Sequence, residues 1–431
     1  MKVNSNIFCN SPWFELHIYW NGDYGFCCQQ FDPPYFRSTD NPYNIKNMSI
    51  QDWYNSDPMR DSRQRMFSNE RWANCSACWT EEDNSDTSRR HRANQKSVIF
   101  RQSFDQSLAQ SPNVKTFEYS YNNQGQTQQP PIDLHIDLGN YCNLACKMCW
   151  SGASSKIATQ EKKWGTLINQ DHLGTDWTSD VDVWQNFLSE MKTLPLKNVH
   201  FMGGETMIQP RFTEFVDSMI EQGRTDLNIS FVTNGTNFDK PLMDKLSKFN
   251  RVGIEVSIET TTDTNHYVRQ GTKTPQVIKH LDQYATYVND RISVTVRPAM
   301  SALTIRDFHT LLRHCLDNKF LIKALIVENP IHMQIAVLPK TIRNRYKEKY
   351  IELLNEIGSL DIVDINESDP RNYVNMISLY ARQAITLLEQ PEIKDKLEPL
   401  VTHMKRWDQV YGYNARDLYP ELTDILDQHG Y

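Results

Sequence analysis

The chain has 431 residues, 39% of them hydrophobic, which is enough for a large core and, by length, two or three domains. A formal net charge of -7 and a pI near 6.0 exclude a general basic field for nucleic acid or an anionic membrane. The opening MKVNSNIFCN lacks the charged-then-apolar pattern of a secretory signal, and no stretch reaches the roughly 18 apolar residues of a membrane span, so a soluble cytoplasmic protein is expected.

Of nine cysteines, five precede residue 80, three lie between 142 and 149, and Cys315 stands alone in FHTLLRHCLDN, where helical spacing predicts a core residue. In a reducing compartment such clusters read as metal ligands rather than disulfides. Trp13, Leu16, Ile18 and Trp20 give a mostly alternating strand, and Asn21-Gly22-Asp23 is a hairpin signal, so Cys9 and Cys27 are brought close by a two-stranded ribbon. With Cys75 and Cys78 they make a four-thiolate set. Cys28 is an alternative to Cys27, because neighbours at a strand end point to opposite sides. Spacing alone leaves zinc and an iron-sulfur cluster both open. The run Arg89, Arg90, His91, Arg92 reads as a solvated face or a loop anchor.

From about residue 100 the composition turns to Gln, Asn, Ser and Pro, and at least the later part of 101–131 reads as a linker or surface loop. It separates a small cysteine-rich α+β domain, 1–100, from a region of alternating strands and helices, 132–340, with a helical region, 341–431, at the end. Strand candidates fall at 132–138, 197–202, 227–233, 251–259, 291–297 and 322–328, separated by helical patterns such as RFTEFVDSMIEQG. This α/β pattern implies an open (β/α)6 barrel of TIM type, whose ligand-binding residues lie at the C-terminal strand ends. There stand Gly203, Gly204 and Glu205, then Thr233-Asn234-Gly235, then Ser257 and Glu259 on one face with Arg269 following. Residues 165–180 look like an insertion able to cover the barrel mouth.

The first of these strands runs into NYCNLACKMCW, with Cys142, Cys146 and Cys149 at C-x3-C-x2-C spacing. A structural zinc site wants four protein ligands, whereas a [4Fe-4S] cluster on three cysteines keeps one iron open.

This loop, with the strand-end residues that follow it in order, resembles the cluster loop of radical S-adenosylmethionine (radical SAM) enzymes. The N-terminal pattern resembles the front half of the SPASM and twitch domains, their auxiliary cluster-binding modules, over roughly residues 7 to 92. Two departures stand out: such modules commonly follow the barrel, and this chain has cysteines for one auxiliary cluster at most. The resemblance implies cluster ligation by Cys142, Cys146 and Cys149, and an auxiliary [4Fe-4S] cluster on Cys9, Cys27, Cys75 and Cys78. It implies contact of Gly203, Gly204 and Glu205 with the amino group of S-adenosylmethionine, and of Ser257 and Arg269 with its ribose or carboxylate. Glu259 stands where relatives carry an aspartate, and Met148 where many carry an aromatic residue. The implied activity is reductive cleavage of S-adenosylmethionine to a 5'-deoxyadenosyl radical that abstracts hydrogen from a peptide or small metabolite, an oxidoreductase or transferase served by a donor such as flavodoxin or ferredoxin. A non-catalytic iron-sulfur or zinc scaffold and an RNA-modifying enzyme are the alternatives, the latter disfavoured by charge.

Overall fold

The computed structural model describes residues 6–30, 41–68, 70–84, 88–96, 113–174, 176–359 and 372–431. Its strands are β1 (Glu15–Ile18), β2 (Tyr24–Gly25), β3 (Asp133–Asp137), β4 (Ala145–Cys146), β5 (Asn198–Met202), β6 (Asn228–Thr233), β7 (Arg251–Val256), β8 (Arg269–Gln270), β9 (Ile292–Val296), β10 (Ala299–Met300), β11 (Leu321–Ile322) and β12 (Leu325–Ile326). Each expected strand is present, with 322–328 split between β11 and β12. The chain forms two compact units, each assembled from several stretches: Met1–Tyr141, Ile168–Ser230 and Leu242–Arg251 in the first, Cys142–Leu167, Phe231–Pro241 and Val252–Tyr431 in the second.

In the first unit the expected hairpin forms, with His17 opposite Gly25 and Ile18 opposite Tyr24. Gly22 sits in its turn at φ +91°, where an added Cβ would come 2.9 Å from Asn44 and Trp177. The ribbon is also part of a larger sheet. β1 runs parallel to β3, and β3 to β5, all in step, so Leu16, Leu134 and Val199 share one register line. The apolar positions of β1, Leu16 and Ile18, are buried beside these partners.

Part of the polar stretch expected to be a linker is structured. Residues 101–112 lie outside the described residues, but Val114–Asn122 is a helix. Its Phe117 is fully buried, with ring centroids 5.2 Å from Phe8, 5.1 Å from Trp13 and 5.9 Å from Phe14. One aromatic side chain on a short helix outweighs the polar average of the segment, because its burial is worth a few kcal/mol. Further on, Asn55 exchanges hydrogen bonds with the backbone of Thr127, at 2.9 and 3.0 Å. The buried Arg63 donates to the carbonyls of Pro12, Tyr54 and Gly125.

The second unit contains β7, β9 and β11, with β9 parallel to each of the other two. Helices Thr274–Ala285 and Phe308–Asn318 alternate with these strands. β6 is shared along its length: Asn228 N–H bonds Lys197 C=O in the first unit, and Thr233 C=O accepts from Ser257 N–H in the second. After residue 340 come helices Lys340–Ser359, Tyr373–Glu389 and Leu397–Tyr411. In the last, Leu400, Val401, Met404 and Trp407 form one buried stripe, and Gly412 ends it in the left-handed region. Cys315 is buried in its helix, as its spacing predicts.

Candidate metal centres

The second unit carries the cysteine loop. Its middle is a short strand: β4 pairs antiparallel with β8, placing Cys146 opposite Arg269. Lys147 N–H continues the pairing to Val268 C=O at 2.8 Å, and Cys149 N–H turns back onto Cys146 C=O at 2.9 Å. Ser154 caps the helix Ser155–Trp164 by accepting from Ile157 N–H, while its hydroxyl donates to Leu144 C=O at 2.8 Å. The Cys142 N–H donates to Ser155 Oγ. Asn234 of the Thr233-Asn234-Gly235 turn donates to Asn143 Oδ1 at 2.8 Å, and Asn143 donates to Thr236 Oγ1 at the same distance. Burial, then the neighbouring Cys146 and Cys142, push the Cys149 thiol up. The three sulfurs thus sense one another, and positive iron is what would offset their crowding.

Arg269 Nη1 donates to Glu259 Oε1 at 2.7 Å, and Glu259 also accepts from the Ala299 N–H. Glu259 is 1% exposed, a buried carboxylate rather than a strand-end group in solvent. Burial works against the Arg269 charge, but Cys146 and Glu259 more than offset it and hold the guanidinium above its usual range. Ser257, half-buried, directly follows β7.

The sequence held no sign of the loop's other support. Lys147 Nζ, inside the cysteine motif, is fully buried 3.7 Å from Asp408 and 3.6 Å from the centroid of the Tyr267 ring. Burial lowers its pKa to about 8 against the pull of Asp408. His403 Nε2 lies 3.1 Å from Lys147 C=O, and Trp407 packs with Ala145, Ile157 and Cys149. Only the fold brings a helix 256 residues away onto this loop.

Gly203, Gly204 and Glu205 belong to the first unit. At φ +55° an added Cβ on Gly204 would come 2.1 Å from Tyr141 C=O, and one on Gly203 2.6 Å from Gly139 C=O, so both glycines serve close backbone packing on residues 139–141. Glu205 N–H bonds Tyr141 C=O, and its carboxylate accepts from Met207 N–H. The 165–180 insertion packs on the end of β3: Trp177 Nε1 donates to Asp137 C=O at 3.0 Å and Asn140 Nδ2 to His172 C=O at 2.8 Å.

The other cysteine set is also in the first unit. Cys9, Cys27, Cys75 and Cys78 line one pocket together with Arg89 and Arg90. Burial raises the Cys9 and Cys75 thiols, Cys75 being raised further by Cys9 and Cys78, and pushes Cys78 up to about 12. Cys28 is not among the residues that line this pocket. A hydrogen bond from Cys27, with His135 adding to it, lowers the Cys28 thiol and correspondingly raises Cys27. The basic run is an anchor: Arg89 pairs with Glu15 at 2.7 Å, and Arg90 pairs with Glu82 at 2.7 Å and donates to Phe8 C=O. Four thiols around one pocket and three on one loop are donor sets that fit iron-sulfur clusters.

Residues 136–315 match the family model of the Radical SAM superfamily, and residues 9–79 that of SPASM, an iron-sulfur cluster-binding domain. The chain therefore carries a radical SAM domain, mixed α/β with parallel strands, preceded by a SPASM domain and followed by helices. These domains imply [4Fe-4S] clusters and S-adenosylmethionine. Among curated proteins, PqqA peptide cyclase of Gluconobacter oxydans is 27% identical over 134 residues, 31% of this chain and 32% of the relative. Mycofactocin maturase MftC of Mycobacterium ulcerans is 24% identical over 169 residues, 38% and 40% of the two chains. The chain thus spans about a third of the length of the curated relatives it matches. Among solved structures, SuiB of Streptococcus suis bound to precursor peptide SuiA aligns with a TM-score of 0.38 at 14% identity, over 65% of this chain and 59% of that one. Among the described residues no helix is long and apolar enough to cross a membrane.

Proposed function

We propose that the chain is a radical SAM enzyme acting on a peptide, with Cys142, Cys146 and Cys149 holding the catalytic [4Fe-4S] cluster. The observation that carries this reading is three cysteines at C-x3-C-x2-C spacing on one loop inside the radical SAM match. When bound, cluster and S-adenosylmethionine supply one-electron cleavage of the sulfonium and hydrogen abstraction from the substrate. The chain's own task is to orient and to exclude water. β8, Ser154 and Asn234 hold the loop, and the helix Leu397–Tyr411 closes one side of it with Trp407. Arg269, fixed by Glu259 beside Cys146, presents a cation suited to a carboxylate, and Ser257 offers a hydroxyl on the same unit.

Cys9, Cys27, Cys75 and Cys78 are the ligands of the auxiliary cluster, in a module of residues 1–100 that precedes the catalytic residues 132–340. Four cysteine ligands close that cluster and suit it to electron relay. A flavodoxin or ferredoxin in the cytoplasm is the electron source. The peptide substrate rests on the relation to PqqA peptide cyclase. Neutralisation of the basic run by Glu15, Glu81 and Glu82 argues against an RNA substrate.

Anaerobic reconstitution followed by iron and sulfide analysis, then dithionite and S-adenosylmethionine with a 5'-deoxyadenosine assay, tests the reading. Wild type should hold about eight irons and a Cys142, Cys146, Cys149 triple alanine variant about four, with deoxyadenosine from wild type alone. Zinc at both cysteine sets with no deoxyadenosine would overturn it.

A further inference from the structure

The in-step pairing of β1, β3 and β5 puts His17, His135 and His200 on one register line, and the period of two puts Asp137 on the same face. Neighbouring strands lie about 4.8 Å apart. The rings follow that spacing, with centroids 4.5 Å apart for His17 and His135 and 4.7 Å for His135 and His200. His17 Nε2 lies 3.4 Å from Asp137 Oδ2, and ligand atoms of His17, His135 and Asp137 all fall within 4.8 Å of one another.

Their hydrogen bonding is incomplete. His17 is 4% exposed, yet among the described residues its Nδ1 has no hydrogen-bond partner, its Nε2 has only the 3.4 Å approach to Asp137 Oδ2, and Nε2 of His135 has no hydrogen bond. Buried imidazole nitrogens without partners are rare in folded proteins. His200 differs: its Nδ1 lies 2.7 Å from Ser230 Oγ, and its ring packs edge-on against His135.

We propose that His17, His135 and Asp137 form a binding site for a divalent transition-metal ion, with zinc the expected occupant, separate from both cysteine sets. Two imidazoles and one carboxylate suit a first-row divalent ion. Closing the three ligands to a Zn–N distance of about 2.1 Å takes side-chain shifts of about an ångström. Cys28, in hydrogen-bonding reach of His135, is placed to orient that ring. Three protein ligands leave a position for water or for a carbonyl or carboxylate oxygen of a substrate, which the ion would polarise.

The test does not pass through S-adenosylmethionine, so it stands apart from the proposed activity. The full chain, with its cysteine sets loaded with iron and sulfide, is equilibrated with buffered micromolar Zn2+, desalted and analysed for metals. About one zinc per chain is expected in addition to the iron, with a nitrogen and oxygen shell near 2.0 to 2.1 Å by X-ray absorption. His135→Asn and the near-isosteric Asp137→Asn should weaken zinc by at least about a hundredfold with iron and sulfide unchanged, which also shows that the variants fold. No zinc in the wild type, zinc unaffected by either substitution, or a shell dominated by sulfur near 2.3 Å overturns the proposal.

Discussion

The two cysteine sets, both proposed to hold clusters, draw on different amounts of the chain. In the second unit three thiols come from eight residues, 142–149, and that stretch is held by β8, a helix cap and an asparagine from the turn after β6. In the first unit four thiols come from three separate places, and their meeting depends on a hairpin, the short helices Ala73–Cys75 and Ser76–Asn84, and the Arg90 anchor to Glu82 and Phe8. A local loop carries its geometry in its spacing. An assembled pocket carries it in packing, so its ligand set is more exposed to distant substitutions.

The largest effect that would break this contrast is at Cys27 and Cys28. Cys27→Ala should remove about four irons, while Cys28→Ala retains them, because only Cys27 lines the pocket. Equal losses from the two variants would show that the pocket does not choose between them. Next comes Phe117→Ala, expected to destabilise by about 3 to 5 kcal/mol through the cavity left among Phe8, Trp13 and Phe14. Its check is the thermal midpoint, together with loss of iron from the Cys9, Cys27, Cys75 and Cys78 set.

A smaller effect should come from Asp408→Asn, about 2 kcal/mol, because buried Lys147 loses its counter-charge yet can shed its proton. Here the sharper readout is faster loss of iron from the 142–149 loop on chelator challenge, with the first-unit set unchanged. The smallest is a pH effect. Burial lowers His309 to about 4 from a usual 6.5, so between those values the unfolded chain binds a proton that the folded chain does not. Stability is full above pH 6.5 and falls as pH drops toward 4, by about 1 kcal/mol after solvent screening. Urea midpoints on either side of that window should differ less in His309→Gln than in wild type.

Much of the site was legible because its signals are local. The C-x3-C-x2-C spacing, the glycines at a strand end, the hairpin turn and the alternation of strands and helices each need only a few neighbouring residues to be read. What stayed hidden was non-local or outvoted by composition. The polar average of 101–131 concealed the Phe117 helix, and nothing near Glu259 announced that Arg269 and Ala299 would enclose it. Strand alternation in Glu15–Ile18 predicted a ribbon but not its parallel partner β3, which lies more than a hundred residues on.

By itself, then, the sequence determined which residues are the candidates for the chemistry: thiols in two sets, the strands that present them and the family they resemble. Tertiary structure decided what surrounds each group: Cys27 in the pocket with Cys28 against His135, Lys147 buried beside Asp408, and histidines of three strands brought into line. The division follows from range. Spacing and periodicity act over a few residues, while burial, ion pairing and strand register join residues more than a hundred apart, and these set each group's charge, reach and partners.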